Sequence, residues 1–401
     1  MTIPRRTLLA AAPTLLAARS ARAQQPPIRI GVLTDESGPY ASSGGAGSIA
    51  AARMALADHG PTVLGLPVEI LHADTQNKPD VAAAIARKWY DDGVDAITDL
   101  PVTPIALAVQ QIAREKSRTV MITAAAITEF TSKFCAPIST HWADDTHAMA
   151  AGIGQLITKD LVKSGGATWF FISVDFSFGA ALQAEATRVI EANGGKVVGS
   201  TRFPIANTDF SSQILAAQSS GAKVLGLASV GGDQVNLIKQ LAEFGLQGKT
   251  GQTLAGFLVY ITDIDALGLE VAQGLRFPSS FYWDQDDGTR AFSKRFFAER
   301  RAMPTQNQAN VYAATGHFLR SMVSAGTRDP VAVNKAMRAT TLDFFGRKAT
   351  IRADGRVLHD VTLWRVKTPA ESKAAWDYLA PIGTIPAADA FLPATPTCET
   401  A

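Results

Sequence analysis

The chain has 401 residues, 47% of them hydrophobic and 18% charged, with a formal net charge of +2. That length suggests two domains of ordinary size, and the apolar share excludes an intrinsically disordered chain. No uninterrupted apolar run is long enough to cross a bilayer, and a near-neutral charge argues against nucleic acid as a partner.

The first 23 residues stand apart. Arg5 and Arg6 precede an apolar run over 7–18, and Ala21-Arg22-Ala23 follows before Gln24. A charged region, an apolar region and a small-residue cleavage site in that order predict a secretory signal over 1–23. The paired arginines suit a twin-arginine route, and any basic start also serves general export. The segment carries Arg5, Arg6, Arg19 and Arg22 and no acid, so its removal takes the formal charge from +2 to −2. Export makes a disulfide possible. The two cysteines, Cys135 and Cys398, permit one intramolecular bridge, which would tie the C-terminal tail to the region after the fourth strand. The alternative is two unpaired thiols. We expect the bridge, because a lone exposed thiol is a liability outside the cell.

The mature chain is organised around 28–58, IRIGVLTDESGPYASSGGAGSIAAARMALAD. The stretch 28–33, apolar except for Arg29, predicts a buried strand. A polar, glycine-heavy turn follows, carrying Ser42 and Ser43, and from Ser48 the apolar spacing becomes helical. In open parallel sheets the carboxyl edge of such a strand is where ligands sit, because backbone N–H groups and the next helix N-terminus point there. A strand follows over 68–74, then a helix over 79–90 with Pro79 in its first turn. A third strand spans 96–100. Thr103 is the expected N-cap of a helix over 103–116, with Pro104 at its first position. The fourth strand is 119–125. This alternation predicts a parallel, doubly wound sheet.

A second series repeats the pattern. Helix 144–161 leads to strand 167–175, and helix 178–193 is closed by Gly194-Gly195. Strand 196–203, helix 210–220 opened by Asp209, strand 223–229, helix 233–244 and strand 253–259 complete it. Beyond lie an extended stretch, 274–282, and helices over 287–301, 308–325 and 329–339. Segments 349–356 and 361–367 read as a β-hairpin joined at Asp354-Gly355. No third series forms, so these leftover elements must complete the two earlier sheets. The chain then crosses between two lobes more than once, and a cleft lies between them.

No enzyme signature is found. The six histidines, at 59, 72, 141, 147, 317 and 359, do not fall at zinc-ligand spacings. There is no nucleophile elbow and no P-loop. The sequence Gly45-Ala46-Gly47-Ser48-Ile49-Ala50 matches G-x-G-x-x-A. In dinucleotide sites, however, the glycines follow the strand at once, and here 34–44 intervene. A turn leading into a helix is the preferred reading. No cofactor, metal or catalytic residue is expected.

Six segments carry a family resemblance: IRIGVLTDESGPYASSGG (28–45), DTQNKPDVAAAIARKW (74–89), MITAAAIT (121–128), DFSFG (175–179), TDFSSQILAAQSSGA (208–222) and IKQLAEFG (238–245). Together they resemble the periplasmic solute-binding proteins of the branched-chain amino-acid ABC transporters. The resemblance implies two Rossmann-like lobes joined by three hinge crossovers, a type I periplasmic binding protein. It places the first lobe at 27–141 plus 275–346, the second at 142–274 plus 347–385, and a tail at 386–401. It also implies a monomer that closes on a small molecule and delivers it to a separate membrane permease.

In amino-acid binders of this family, the ligand carboxylate is held by a Ser or Thr after the third strand and by groups after the fourth. The matching positions here are Thr103, Ala125 and Ala126, but the expected loop hydroxyl is replaced by Ile127, with Thr128 one residue further on. The amine side departs more. No carboxylate lies near 256–258, an expected aromatic appears as Val230, and an expected tyrosine appears as Phe178. A zwitterion would leave its ammonium unpaired in a closed cleft, at a cost of several kcal/mol. The expected ligand is therefore a carboxylate without an amine, with Phe178, Phe257, Phe281, Tyr282 and Trp283 offering an apolar slot for an aromatic or aliphatic acid. The alternatives are a branched-chain amino-acid or amide binder, and a sensing component that reports to a receptor.

Overall fold

The structure, a computed structural model, describes residues 25–246 and 252–395. The expected signal at 1–23 and Cys398 lie outside the described residues. Two lobes are each built on a largely parallel sheet. In the first, the order across the sheet is Thr62–Val63, Leu66–Asp74, Ile28–Thr34, Ala96–Asp99, Thr119–Ile122, Ser139–His141. Only the Thr62–Val63 strand runs antiparallel, turning back on its neighbour through Leu64 and Gly65, both at positive φ. That hairpin escaped the sequence reading because Leu occupies a turn position that usually announces itself with Asn or Gly.

In the second lobe the order is Leu379–Ile385, Val361–Val366, Arg276–Ser279, Thr253–Gly256, Val224–Ala228, Thr168–Val174, Lys196–Phe203. The last five are parallel and the first two add antiparallel edges. The central Thr168–Val174 and Val224–Ala228 strands carry the apolar run that burial on both faces requires; Trp169, Phe171 and Ile172 are all fully buried. The first lobe packs separate cores on the two faces of its sheet, one against the Gly45–His59 and Gln306–Ala325 helices, the other against Pro79–Asp91 and Thr103–Lys116.

Several expectations need correction. The hairpin turn at Asp354-Gly355 exists, but its second arm is Val357–Leu358, not 361–367. Val361–Val366 instead enters the second sheet beside Arg276–Ser279. Local alternation cannot tell which of two nearby extended segments closes a turn. The Arg347–Ile351 strand also pairs with Leu342–Phe344, and both pack on the first lobe's core. The boundaries expected at 275 and 347 thus fall elsewhere: 276–279 belongs to the second sheet, and 347–357 stays with the first lobe. The helix expected from 144 starts at Thr146, capped by Asp145, whose carboxylate accepts from the Ala148 amide at 2.9 Å. It continues through a π-turn at Ala151–Gln155 to Lys163. Gly152 sits in that turn, where a Cβ would stand 2.7 Å from Pro278.

Three crossovers join the lobes, after His141, after Ser279 and after Leu358. One buried polar network binds all three. The Arg356 guanidinium is fully buried and bonds His141 Nδ1 at 2.8 Å and the Ala143 carbonyl at 2.7 Å; it lies 3.5 Å from the Asp145 carboxylate and over the Phe391 ring. Asp144 accepts from the Ser280 amide at 2.9 Å and stands 3.6 Å from His359. Burial and the neighbouring guanidinium lower the affinity of His141 for a proton, so its ring accepts from Arg356. Trp142 packs here too, its indole donating to Thr140 Oγ1.

Candidate functional site

The carboxyl ends of both sheets face each other across a narrow cleft, part of it open to solvent. The first lobe contributes Tyr40 and Ser43 from the loop after its first strand, 101–103 after the third and 124–126 after the fourth, together with Asn307. The second lobe contributes Phe176, Phe178, Val230, Leu258 and Tyr260. None of these described lining residues is charged.

The glycine-rich loop is organised by Asp35, which is buried. Its carboxylate accepts from the Gly38 amide (2.6 Å), the Tyr40 amide (2.9 Å) and Asn77 Nδ2 (2.7 Å). The far end of the loop is held by the Gln306–Ala325 helix: Thr305 Oγ1 donates to the Ser43 carbonyl at 2.6 Å, and Gln308 Nε2 to the Gly44 carbonyl at 3.0 Å. Gly47 is glycine because a Cβ there would collide with the Gln308 side chain at 2.2 Å. The G-x-G-x-x-A pattern therefore records helix-to-loop packing, and the preference for a turn over a nucleotide motif agrees with that geometry.

Donors collect on the first lobe. Thr103 is the first helical residue of Thr103–Lys116, not its N-cap; Val102 occupies the cap position and supplies no side-chain bond. The Thr103 hydroxyl, buried and facing the cleft, makes no hydrogen bond among the described residues. The helix N-terminus adds unpaired N–H groups and a positive dipole end. The 124–126 strip is tied down through its carbonyls: Ala125 O accepts from His141 Nε2 at 2.8 Å and Ala126 O from the Thr146 amide at 2.8 Å. The Ala126 amide has no backbone partner among the described residues. Small side chains at 124–126 let a ligand come close to this backbone.

Ser43, Thr103, Ala125, Ala126, Phe178 and Val230 are brought together in the cleft as expected. Six others are not among the lining residues. Ser42 is exposed beside the loop. Ile127 is buried in the first lobe's core, and Thr128 opens a short 3-10 turn. Phe257 turns into the second lobe's core, 5.7 Å from Phe171 and 6.3 Å from Trp169, and leaves the cleft position to its neighbour Leu258. Phe281 packs against Phe345 at 5.1 Å. Tyr282 packs on Trp364 and donates to the Trp376 carbonyl at 3.0 Å. The last two sit on a crossover rather than at a sheet edge, so core packing claims their rings. Asp175 pairs with Arg202 at 3.2 Å outside the cleft. Asp286 caps a helix while Asp284 and Asp287 pair with Arg290.

The sequence reading missed Tyr40, Phe176, Leu258, Tyr260 and Asn307. Tyr40 lies inside the quoted SGPYASSGG loop, and Asn307 lies within a Thr305-x-x-Gln308 capping box that fixes the helix start. Those signals locate the elements but not the faces they turn. Burial, with Asp233 and Asp35 nearby, pushes the Tyr40 phenol up to about 12. Burial also raises Tyr260. Both remain protonated donors.

Two lobes, three crossovers and a cleft at the sheets' carboxyl edges define a periplasmic-type binding protein. A family model described as periplasmic binding protein matches residues 27–374, and the chain belongs to that family. A periplasmic binding protein from Burkholderia mallei is 42% identical, with 91% of this chain and 96% of that one covered and a TM-score of 0.86. A branched chain amino acid ABC transporter periplasmic ligand-binding protein from Burkholderia xenovorans LB400 is 38% identical over 91% and 97%, with a TM-score of 0.81. A solute binding protein of an ABC transporter from R. palustris, in complex with 4-hydroxybenzoate, shares the fold at 22% identity over 90% and 97%, TM-score 0.80. No curated protein sequence matches this chain. The chain is thus a periplasmic binding protein of an ABC transporter, and among its described residues no helix is long and apolar enough to cross a membrane.

Proposed function

We propose that this protein captures a small carboxylate with an apolar, preferably aromatic, body, and hands it to a membrane permease for import. The observation that carries the reading is that no described lining residue of the cleft is charged, beside a first-lobe floor of hydroxyl and amide donors. An acid group can be met by the Thr103 hydroxyl, the Ala126 amide and the helix N-terminus, which favours anions. An ammonium would meet no lining carboxylate, and burying it unpaired costs several kcal/mol. The second lobe offers Phe176, Phe178, Val230 and Leu258, a surface for rings and alkyl groups. The R. palustris neighbour, bound to 4-hydroxybenzoate, is a precedent for such a ligand on this fold.

Capture is reversible and makes no bond. Ligand contacts to both lobes favour the closed arrangement by their differential affinity for it. Calorimetric titration of the exported form with benzoate, 4-hydroxybenzoate, leucine and valine tests the reading. Binding of the aromatic acids with no heat from the amino acids is expected; tight leucine or valine binding with no response to the acids would overturn it.

A further inference from the structure

The second lobe presents one polar side chain to the cleft among the described lining residues, the Tyr260 hydroxyl. Its oxygen accepts a hydrogen bond from Asn307 Nδ2 at 2.9 Å, across the gap between the lobes. Because the amide donates, the phenol keeps its own proton. No acceptor among the described residues takes that proton. Both side chains are buried, at 4% exposure each. A buried donor without an acceptor is costly, so this arrangement calls for an acceptor from outside the chain.

Tyr260 is also held rigidly. Its amide donates to Asp263 Oδ2 at 2.9 Å, and its carbonyl accepts from the Asp263 amide at 3.0 Å. Asn307 is fixed by its helix, whose neighbouring residues grip the loop at Ser43 and Gly44. One turn on, Asn310 Nδ2 reaches the Thr123 carbonyl at 3.3 Å, next to the 124–126 strip. The hydroxyl of Tyr260 therefore meets the first lobe on the side where the carboxylate donors collect. The negative groups near it, Asp263 and Asp99, oppose ionisation of the phenol and keep it a donor.

Resting on the carboxylate reading above, we propose that Tyr260 is a specificity-determining residue that donates from the second lobe to the ligand's carboxylate, with Asn307 as its positioning residue. Engagement of the acid and contact between the lobes are then one event: an apolar molecule of the same shape, lacking the acceptor, leaves the phenol proton unpaired and closure unrewarded.

The test is titration of the exported protein with benzoate, as wild type, Tyr260→Phe and Asn307→Asp, with thermal melts as the folding control. Tyr260→Phe keeps the ring and removes the proton; affinity should fall on the order of tenfold to a hundredfold, the loss of one hydrogen bond to a charged group. Asn307→Asp places an acceptor where the amide donated, so it turns the phenol proton away from the ligand and should weaken benzoate at least as much while the fold melts normally. The new carboxylate also repels benzoate, so the Asn307→Asp loss is read against the double variant Tyr260→Phe/Asn307→Asp: only the part that runs through the phenol disappears once the proton is gone. A Tyr260→Phe affinity within twofold of wild type overturns the inference, as does an Asn307→Asp variant that binds like wild type. If the wild type ignores every carboxylate offered, the proposed function fails and this inference with it; wild-type binding with an indifferent Tyr260→Phe leaves that function standing and sinks this inference alone.

Discussion

Asp99 ends the third strand of the first lobe with both carboxylate oxygens buried and without a hydrogen bond of ordinary geometry. It lies directly beneath the glycine loop: a Cβ on Gly44 would stand 3.1 Å from Asp99 Oδ2. Asp99 and Leu100 both have positive φ, +79° and +67°, a jog that delivers Pro101 and Thr103 to the cleft. Burial raises its pKa from 3.8 to about 6, against the opposing pull of the Thr34 and Ser48 hydroxyls. The folded protein thus holds this proton more tightly than the unfolded chain does. Its contribution is most favourable below pH 3.8 and is lost as pH rises through about 6. Asp99→Asn, which tolerates the left-handed backbone, should stabilise the protein by up to about 3 kcal/mol at pH 8 and by almost nothing at pH 3.5. Urea melts of both proteins at the two pH values check this, since other titrating groups cancel in the difference. At the same scale, Thr103→Val removes a cleft donor and keeps the shape. It should weaken acid binding about tenfold with little change in melting temperature.

At the scale of elements, the Ser177–Ala192 helix shows how a short motif carries function through packing. Phe176 and Phe178 flank its start and line the cleft. Gly179 lets that first turn rest on the end of the preceding strand; a Cβ would sit 2.1 Å from the Val174 carbonyl oxygen. Gly179→Ala must push the helix off the sheet, so it should cost roughly 2 kcal/mol or more and weaken the ligand by displacing both rings. Thermal melts and titration of the same sample separate the two effects. The strands and this helix were legible because their apolar periods are local. The choice between Phe257 and Leu258 was not, because it depends on how the chain leaves the Thr253–Gly256 strand and which side the core claims.

For the whole molecule, the buried network around Arg356 holds the lobes in register. It joins residues 215 positions apart, His141 and Arg356, and touches every crossover. Arg356→Ala would leave Asp145 buried beside no cation, at a cost of about 3–5 kcal/mol. The expected result is a lower melting midpoint and, in small-angle scattering, a weaker compaction on adding ligand; unchanged values would show that the hinge does not depend on the pair. The bridge between Cys135 and Cys398 remains our proposal. Mass spectrometry of the exported, unreduced protein after thiol alkylation should find neither cysteine modified, and modification of both would rule the bridge out.

Local order was the sequence's own to determine. Apolar runs dictated the strands and small residues the loop within 28–58, while the family resemblance, not the alternation, pointed to Thr103, Ala125, Ala126, Phe178 and Val230. The absence of a carboxylate near 256–258, measured against what the resemblance implies, set the expectation about the ligand. Only the tertiary structure decided that 361–366 leaves its neighbouring turn for the other lobe, that Phe281 and Tyr282 serve the core, and that Tyr260 meets Asn307 across the cleft. Those outcomes rest on contacts between segments distant in sequence, which no local period encodes, because they exist only once both sheets have ordered their strands and the lobes have met.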